Sequence, residues 1–368
     1  MLPEDASERQ LQPRAAVVSR DHHRDLHDAI LSDLVAPDRL DASLVLDIEK
    51  ADPIVILGIM PRSGTNYLMD LLCLHPRCAP ARSPVKEDFF LEPSDHLLAY
   101  TRDVSARWDP MWGAIDGELM RRFHESLGDG LLSFLWSERD RRLVAKTPSV
   151  QHIDRFFTFF PSARLLILVR DGRSVVQSCM STLGWDFDRA ARGWAAAADE
   201  IRRFQGKERP GKDRYLLVRY EDLLDDLKGS LADILRFADL DQDLFDFEAA
   251  ADLPVRGSSA YFGPGHTSVH WEPVPKGPDF KPGERWRSWT PEMHERFDWI
   301  AGRQLREFGY ATSADGVRGA GRVLRHRIMD WRWRAKTSAQ RGAYRARVGL
   351  GTASRPLRER LGLIRTER

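Results

Sequence analysis

The stretch VILGIMPRSGTNYL, from Val55 to Leu68, decides how this chain is read. Its first half is a short, unbroken apolar run with β-branched residues, the pattern of a strand buried on both faces in a parallel sheet. From Thr65 the periodicity becomes that of an amphipathic helix, and Pro61 to Thr65 make the turn between them. Strand, loop and helix in that order aim backbone N–H groups and the positive end of a helix dipole at an anion. Gly64 lets the backbone approach a phosphate with no side chain in the way. Ser63 and Thr65 offer hydroxyl donors, and Arg62 a permanent, forked cation.

The loop is not a Walker A motif, which needs four residues between its glycines and then Lys and Ser/Thr. Here Gly58 and Gly64 enclose Ile59 to Ser63, and Thr65 stands where the lysine belongs. No strand ends in the aspartate that would hold Mg²⁺. A P-loop nucleotide kinase is therefore the weaker alternative.

Outward from this stretch, further strands are expected at RLVAK (142–146), ARLLILVR (163–170) and RYLLVRY (214–220). Helical patterns run from Gly172 to Thr182, Phe187 to Phe204, Glu221 to Leu240 and Pro291 to Phe308. Strands alternating with helices give an α/β fold around a central parallel sheet. Three parts are expected: a polar N-terminal extension (1–50), a main domain (51–312) and a basic helical tail (313–368). The tail from Gly316 carries fifteen Lys or Arg against three acidic residues. Within it RVLRHRIMDWRWRAK makes a basic helix with an apolar stripe through Leu324, Ile328 and Trp331. Such a segment suits anionic membrane or polymer; a solvated helical tail is the plainer reading.

The chain has 368 residues, 42% hydrophobic and 30% charged, with a formal charge of +1, ordinary values for a soluble globular protein. Cys73, Cys78 and Cys179 are too few and too scattered for a disulfide framework or zinc site. The first residues lack the apolar core of a secretory signal, and no run approaches the roughly 18 apolar residues of a membrane span. A soluble, cytoplasmic protein is expected. His22, His23 and His27 have helical spacing but no acidic or cysteine partners, so they read as a solvated face, and no metal is expected.

A second motif, LLILVRDGRSVVQSCMST, places Arg170 at the carboxyl end of a strand, where ligands of open α/β sheets bind. Arg170 and Ser178 are expected to converge on a phosphate near the first loop; a plain Arg170–Asp171 surface pair is the alternative. Together PRSGTNYL and LVRDGRSVVQS resemble the sulfotransferase superfamily, whose 3′-phosphate motif has Arg followed by Ser eight residues later. AKTP (145–148), VRYEDL (218–223), GERWRSW (283–289) and LREFGY (305–310) lie in the family's order, so the likeness spans Pro53 to Tyr310. It is closest to the carbohydrate and protein-tyrosine branches, which favour Arg in the first loop.

The resemblance implies a P-loop-like α/β fold and 3′-phosphoadenosine 5′-phosphosulfate as donor co-substrate. Arg62, Ser63, Gly64, Thr65 and Asn66 would hold the 5′-phosphosulfate, and Arg170 and Ser178 the 3′-phosphate. Tyr220 would lie near the adenine, with Arg285 and Trp286 closing over the 3′ end. Arg62 is suited to the leaving bridging oxygen, and Lys146 matches a lysine the tyrosine branch keeps near the transferring group. VKEDFFLEPSDHL (85–97) is similar to a segment that supplies a catalytic glutamate. Glu87 is the expected base, with Asp88, Glu92 and His96 as alternatives, and desolvation beside Phe89 and Phe90 would raise its pKa.

The acceptor is expected to be a hydroxyl, carbohydrate first, with tyrosine or a small metabolite behind. The insert from Lys86 to Arg142 and the Gly/Pro-rich stretch near Ser258 and Ser259 are expected to shape its site. Trp108, Trp112 and Trp136 are candidates for sugar stacking or core, and His266 and His270 for the acceptor's surroundings. No specific nucleic-acid partner is indicated. A polymer-binding protein with a vestigial nucleotide site is the remaining alternative.

Overall fold

The structure, a computed structural model, describes residues 52–206, 212–254, 283–312 and 319–360, with the helical course alone for 341–360. Strands β1 (Ile54–Gly58), β2 (Cys78–Pro80), β3 (Arg142–Thr147), β4 (Arg164–Val169) and β5 (Tyr215–Arg219) form one sheet in the order β2-β3-β1-β4-β5. All four pairings are parallel; Ile56 lies opposite Lys146 on one side and Leu166 on the other.

The helices are α1 (Thr65–Leu72), α2 (Ser94–Ser105), α3 (Gly117–Leu135), α4 (Phe156–Phe159), α5 (Gly172–Leu183) and α6 (Phe187–Gly206). They continue as α7 (Tyr220–Asp225), α8 (Leu227–Phe237), α9 (Phe247–Asp252), α10 (Pro291–Glu307) and α11 (Ala320–Arg360).

The side chains of β1 alternate between two cores. Val55 and Leu57 pack with Trp194, Phe156 and Phe297 on one face, whereas Ile54 and Ile56 pack with Leu68, Leu71 and Leu235 on the other. A strand apolar on both faces is stable only between two helical layers. After β1 the chain builds β2 and β3 to one side, then crosses to place β4 and β5 on the other. The crevice beyond the carboxyl ends of β1 and β4 lies at this change of direction, where such sheets bind ligands.

The expected strands and the helices Gly172–Thr182, Phe187–Phe204 and Pro291–Phe308 form within two residues of their expected ends. The expected helix from Glu221 to Leu240 is instead two, α7 and α8. Asp226 ends the first and caps the second, its carboxylate accepting from Gly229 N at 2.9 Å. The short edge strand β2 and helices α2 and α3 were not anticipated. In the tail, α11 encloses the expected basic helix and extends beyond it. The N-terminal extension with its histidines, and Ser258, Ser259, His266 and His270, lie outside the described residues.

Candidate nucleotide and acceptor site

The loop after β1 owes its shape to two left-handed residues, Arg62 at φ 77° and Gly64 at φ 100°. A non-glycine residue held there costs on the order of 1–3 kcal/mol, and such strain collects at functional sites. Gly64 is indispensable on two counts: its φ, and the Tyr220 ring carbon 2.5 Å from where a Cβ would sit. Gly58 is as crowded, since its Cβ would lie 2.3 Å from Ser63 Oγ. No side chain caps the first turn of α1, and Ser63 Oγ is buried without a hydrogen-bond partner among the described residues. Loop, hydroxyl and helix terminus thus form a donor-rich hollow.

Both motifs meet in this hollow. Arg62 Nε donates to Ser178 Oγ at 3.0 Å, and Arg170 Nη1 donates to the Arg62 carbonyl at 2.9 Å. The Arg170 guanidinium lies 4.4 Å from the centroid of the Tyr220 ring. Arg170 is therefore turned into the site, and the surface-pair alternative fails, because Asp171 pairs with Arg173 at 2.6 Å instead. Burial, then the charge of Arg170, pulls the pKa of Arg62 below the ordinary guanidinium value. Burial and the charges of Arg170 and Arg62 bring Arg285 down to about 10. Cations crowded closely enough to lower the pKa of Arg62 and Arg285 make a place that an anion stabilises.

The segment Arg285–Ser288 closes against α5. Ser174 Oγ donates to the Gly283 carbonyl at 3.0 Å, and Trp289 Nε1 donates to Gln177 Oε1 at 2.6 Å. Arg173 stacks on Trp286 at 3.8 Å, while Trp286 Nε1 is buried without a partner among the described residues. Glu221 fixes the turn below: it accepts from Asp171 N at 3.0 Å and from the Tyr310 hydroxyl at 2.7 Å. Arg173 and Glu221 were not singled out from sequence; their only signal was their place inside RDGR and RYED.

Lys146, only 2% exposed, reaches Glu87 Oε1 at 3.1 Å. Burial lowers the pKa of Lys146, and the charge of Glu87 works against that. The neighbouring Asp88 is held differently. Its Oδ1 accepts from Thr147 Oγ1 at 2.8 Å and from Phe90 N at 3.1 Å, while Oδ2 is buried without a partner among the described residues. Burial pushes its pKa up, so the desolvation expected for Glu87 acts on Asp88.

Beside Lys146 lies a cavity of about 350 Å³ whose walls include Asn66, Met69, Pro80, Val85 and Asp88. Of the expected bases, Asp88 lines it, whereas Glu87, which reaches Lys146 from beside it, Glu92 and His96 are not among its lining residues. Trp136 is a core residue, its Nε1 donating to the carbonyls of Glu138 and Arg141. Trp108 packs on Phe123 at 5.5 Å, and Trp112 is exposed on the surface. None of the three lines the cavity.

Residues 53–244, just over half the chain, match the profile of the Sulfotransferase family. A protein-tyrosine sulfotransferase of Drosophila melanogaster is 27% identical over 212 residues, covering 54% of this chain and 40% of that protein. Protein-tyrosine sulfotransferase A of Caenorhabditis elegans is 25% identical over 207 residues, covering 53% of this chain and 52% of that protein. The chain thus spans about half the length of these two relatives. Among solved structures, the sulfotransferase domain of the Synechococcus PCC 7002 olefin synthase is 22% identical. It superposes with a TM-score of 0.44, over 72% of this chain and 98% of that domain.

Proposed function

The chain belongs to the sulfotransferase family, and from that premise we propose that it transfers a sulfuryl group from 3′-phosphoadenosine 5′-phosphosulfate to a tyrosyl hydroxyl. The observation that carries the donor is the convergence of Arg62, Arg170 and Arg285 on one hollow, with the two glycines keeping it open. A donor with phosphate at both ends of its ribose matches that spread of cations. The unpartnered Ser63 Oγ and Trp286 Nε1 are two further donors for it. When bound, the nucleotide supplies the sulfuryl group, whose bond to a phosphate oxygen breaks as the acceptor oxygen bonds to sulfur.

The residues divide the work as such a displacement requires: position, charge compensation and proton removal. Arg62, Ser63, Gly64, Thr65 and Asn66 hold the reacting end, and Arg170 and Ser178 the 3′-phosphate. Tyr220 packs beside the base, with Arg285 and Trp286 over the ribose. Arg62 balances negative charge that grows on the leaving oxygen, and Lys146 stands beside the transferring group. Glu87 takes the acceptor's proton, its carboxylate kept close to the reacting centre by Lys146.

One observation favours tyrosine over the carbohydrate expected from sequence: both relatives named above are protein-tyrosine enzymes. Incubation with ³⁵S-labelled donor and either tyrosine-containing acidic peptides or oligosaccharides tests the assignment. Label in the peptide is expected. Label in the oligosaccharide alone would return the acceptor to carbohydrate, and a thermal shift with ADP and Mg²⁺ but not with 3′,5′-adenosine bisphosphate would remove the donor as well.

A further inference from the structure

Helix α11 is two-faced in an unusual sense: one face is bound to the domain, and the opposite face carries exposed apolar side chains. His326, Asp330 and Trp333, spaced i, i+4 and i+7, form the bound face. His326 Nε2 meets Glu295 Oε1 at 2.7 Å and its ring stacks on Trp299 at 5.3 Å. Asp330 accepts from Arg296 at 2.8 Å and from Trp299 Nε1 at 3.0 Å, and also pairs with Arg192. Arg192 in turn lies over the Trp333 ring at 4.5 Å.

With its inner face fixed, the helix must present Leu324, Ile328 and Trp331 outward; they are 59%, 43% and 70% exposed. At 3.6 residues per turn these three form one stripe. Arg325, Arg332 and Lys336 flank it on one side and Arg327 and Arg334 on the other, all exposed. The charge continues over 341–360 with six arginines against Glu359.

We propose that this face of α11 docks the protein on an anionic lipid bilayer. A polyanion would engage the arginines but leave the three apolar side chains in water. A bilayer takes both, the stripe entering the boundary of the acyl region while the flanking cations meet lipid phosphates and carboxylates. Trp331 is of the type that sits at headgroup level. No helix among the described residues is long and apolar enough to cross a membrane, so α11 lies along the surface. The inference is independent of the enzymatic reading.

The test is sedimentation of the full chain with vesicles of phosphatidylcholine alone or with phosphatidylserine, beside retention on heparin. Binding to the phosphatidylserine vesicles, weakened by salt, is expected. The L324S/I328S/W331S variant is expected to lose most of it while keeping the wild-type response to adenosine bisphosphate in a thermal shift. R325Q/R332Q/R334Q, which leaves the stripe intact, should weaken binding by roughly fivefold per arginine. Absence of vesicle binding, unchanged binding by either variant, or retention on heparin alone would overturn the proposal.

Discussion

Arg170→Ala offers the sharpest test of how the site recognises its nucleotide. In the structure the side chain has two duties within reach of the phosphate hollow: Nη1 holds the Arg62 carbonyl at 2.9 Å, and the guanidinium lies over Tyr220 at 4.4 Å. A hydrogen bond to a charged group contributes about 1.5–3 kcal/mol. Losing it from the 3′-phosphate should weaken 3′,5′-adenosine bisphosphate about 10- to 150-fold. The cation–π contact adds about 0.5–2 kcal/mol, but it orders Tyr220 for any adenine nucleotide. It therefore lowers affinity for AMP and for the bisphosphate alike. The ratio of the two dissociation constants, measured by calorimetry, isolates the phosphate contact. That ratio should collapse toward one in the variant. If both affinities fall together and the ratio holds, Arg170 supports the loop without touching the 3′-phosphate, and its assignment fails. Removing Arg170 also relieves the repulsion that lowers the pKa of Arg62 and Arg285. The ligand-free variant should accordingly unfold at no lower temperature through charge loss alone.

Glu87→Gln is expected to lower kcat 10²- to 10⁴-fold with donor affinity kept, as for removal of a general base; Asp88→Asn retaining activity in the same assay supports Glu87, and the reverse pattern moves the base to Asp88. Asp88→Asn preserves an oxygen for Thr147 and Phe90, so it also reports on burial. Because the folded pKa of Asp88 is raised, its contribution to stability is fully present below the unfolded value near 3.8 and is lost as pH rises through the folded value. The variant should thus gain in Tm over the wild type at neutral pH, and the gain should shrink as pH falls toward 4; a gain independent of pH counts against the desolvated carboxyl. Gly64→Ala should abolish the thermal shift given by adenosine bisphosphate, since its Cβ has only 2.5 Å to the Tyr220 ring and its φ is 100°. Gly128→Ala, in α3 against α4, places a Cβ 1.7 Å from the Phe159 carbonyl and should cost about 1–3 kcal/mol in urea unfolding with donor affinity intact.

The local order of strand, loop and helix was legible because short apolar runs, a glycine turn and helical periodicity are properties of neighbouring residues. For the same reason VILGIMPRSGTNYL and LLILVRDGRSVVQS could be recognised as two halves of an anion site. The sheet's edge strand β2 was not legible: three residues, CAP, carry no periodicity, and only pairing with Arg142–Val144 makes them a strand. The break at Asp226 was hidden because an aspartate inside a helical pattern becomes a stop only when its carboxylate finds an N–H to cap.

Sequence by itself determined which residues carry the cations and hydroxyls of the site and that Gly64 had to be a glycine. Only the tertiary structure decided how they combine. Parallel pairing of β1 with β4 sets Arg170 against the Arg62 carbonyl and Ser178 against its guanidinium, across more than a hundred residues of chain. Pairing of β1 with β3 buries Lys146 where Glu87 reaches it and leaves Asp88 on the cavity wall. Which of two adjacent carboxylates meets the lysine depends on the turn of the backbone at Phe89, φ 49°, and on Thr147 holding Asp88. Such choices rest on contacts between distant segments, which no local pattern of residues encodes.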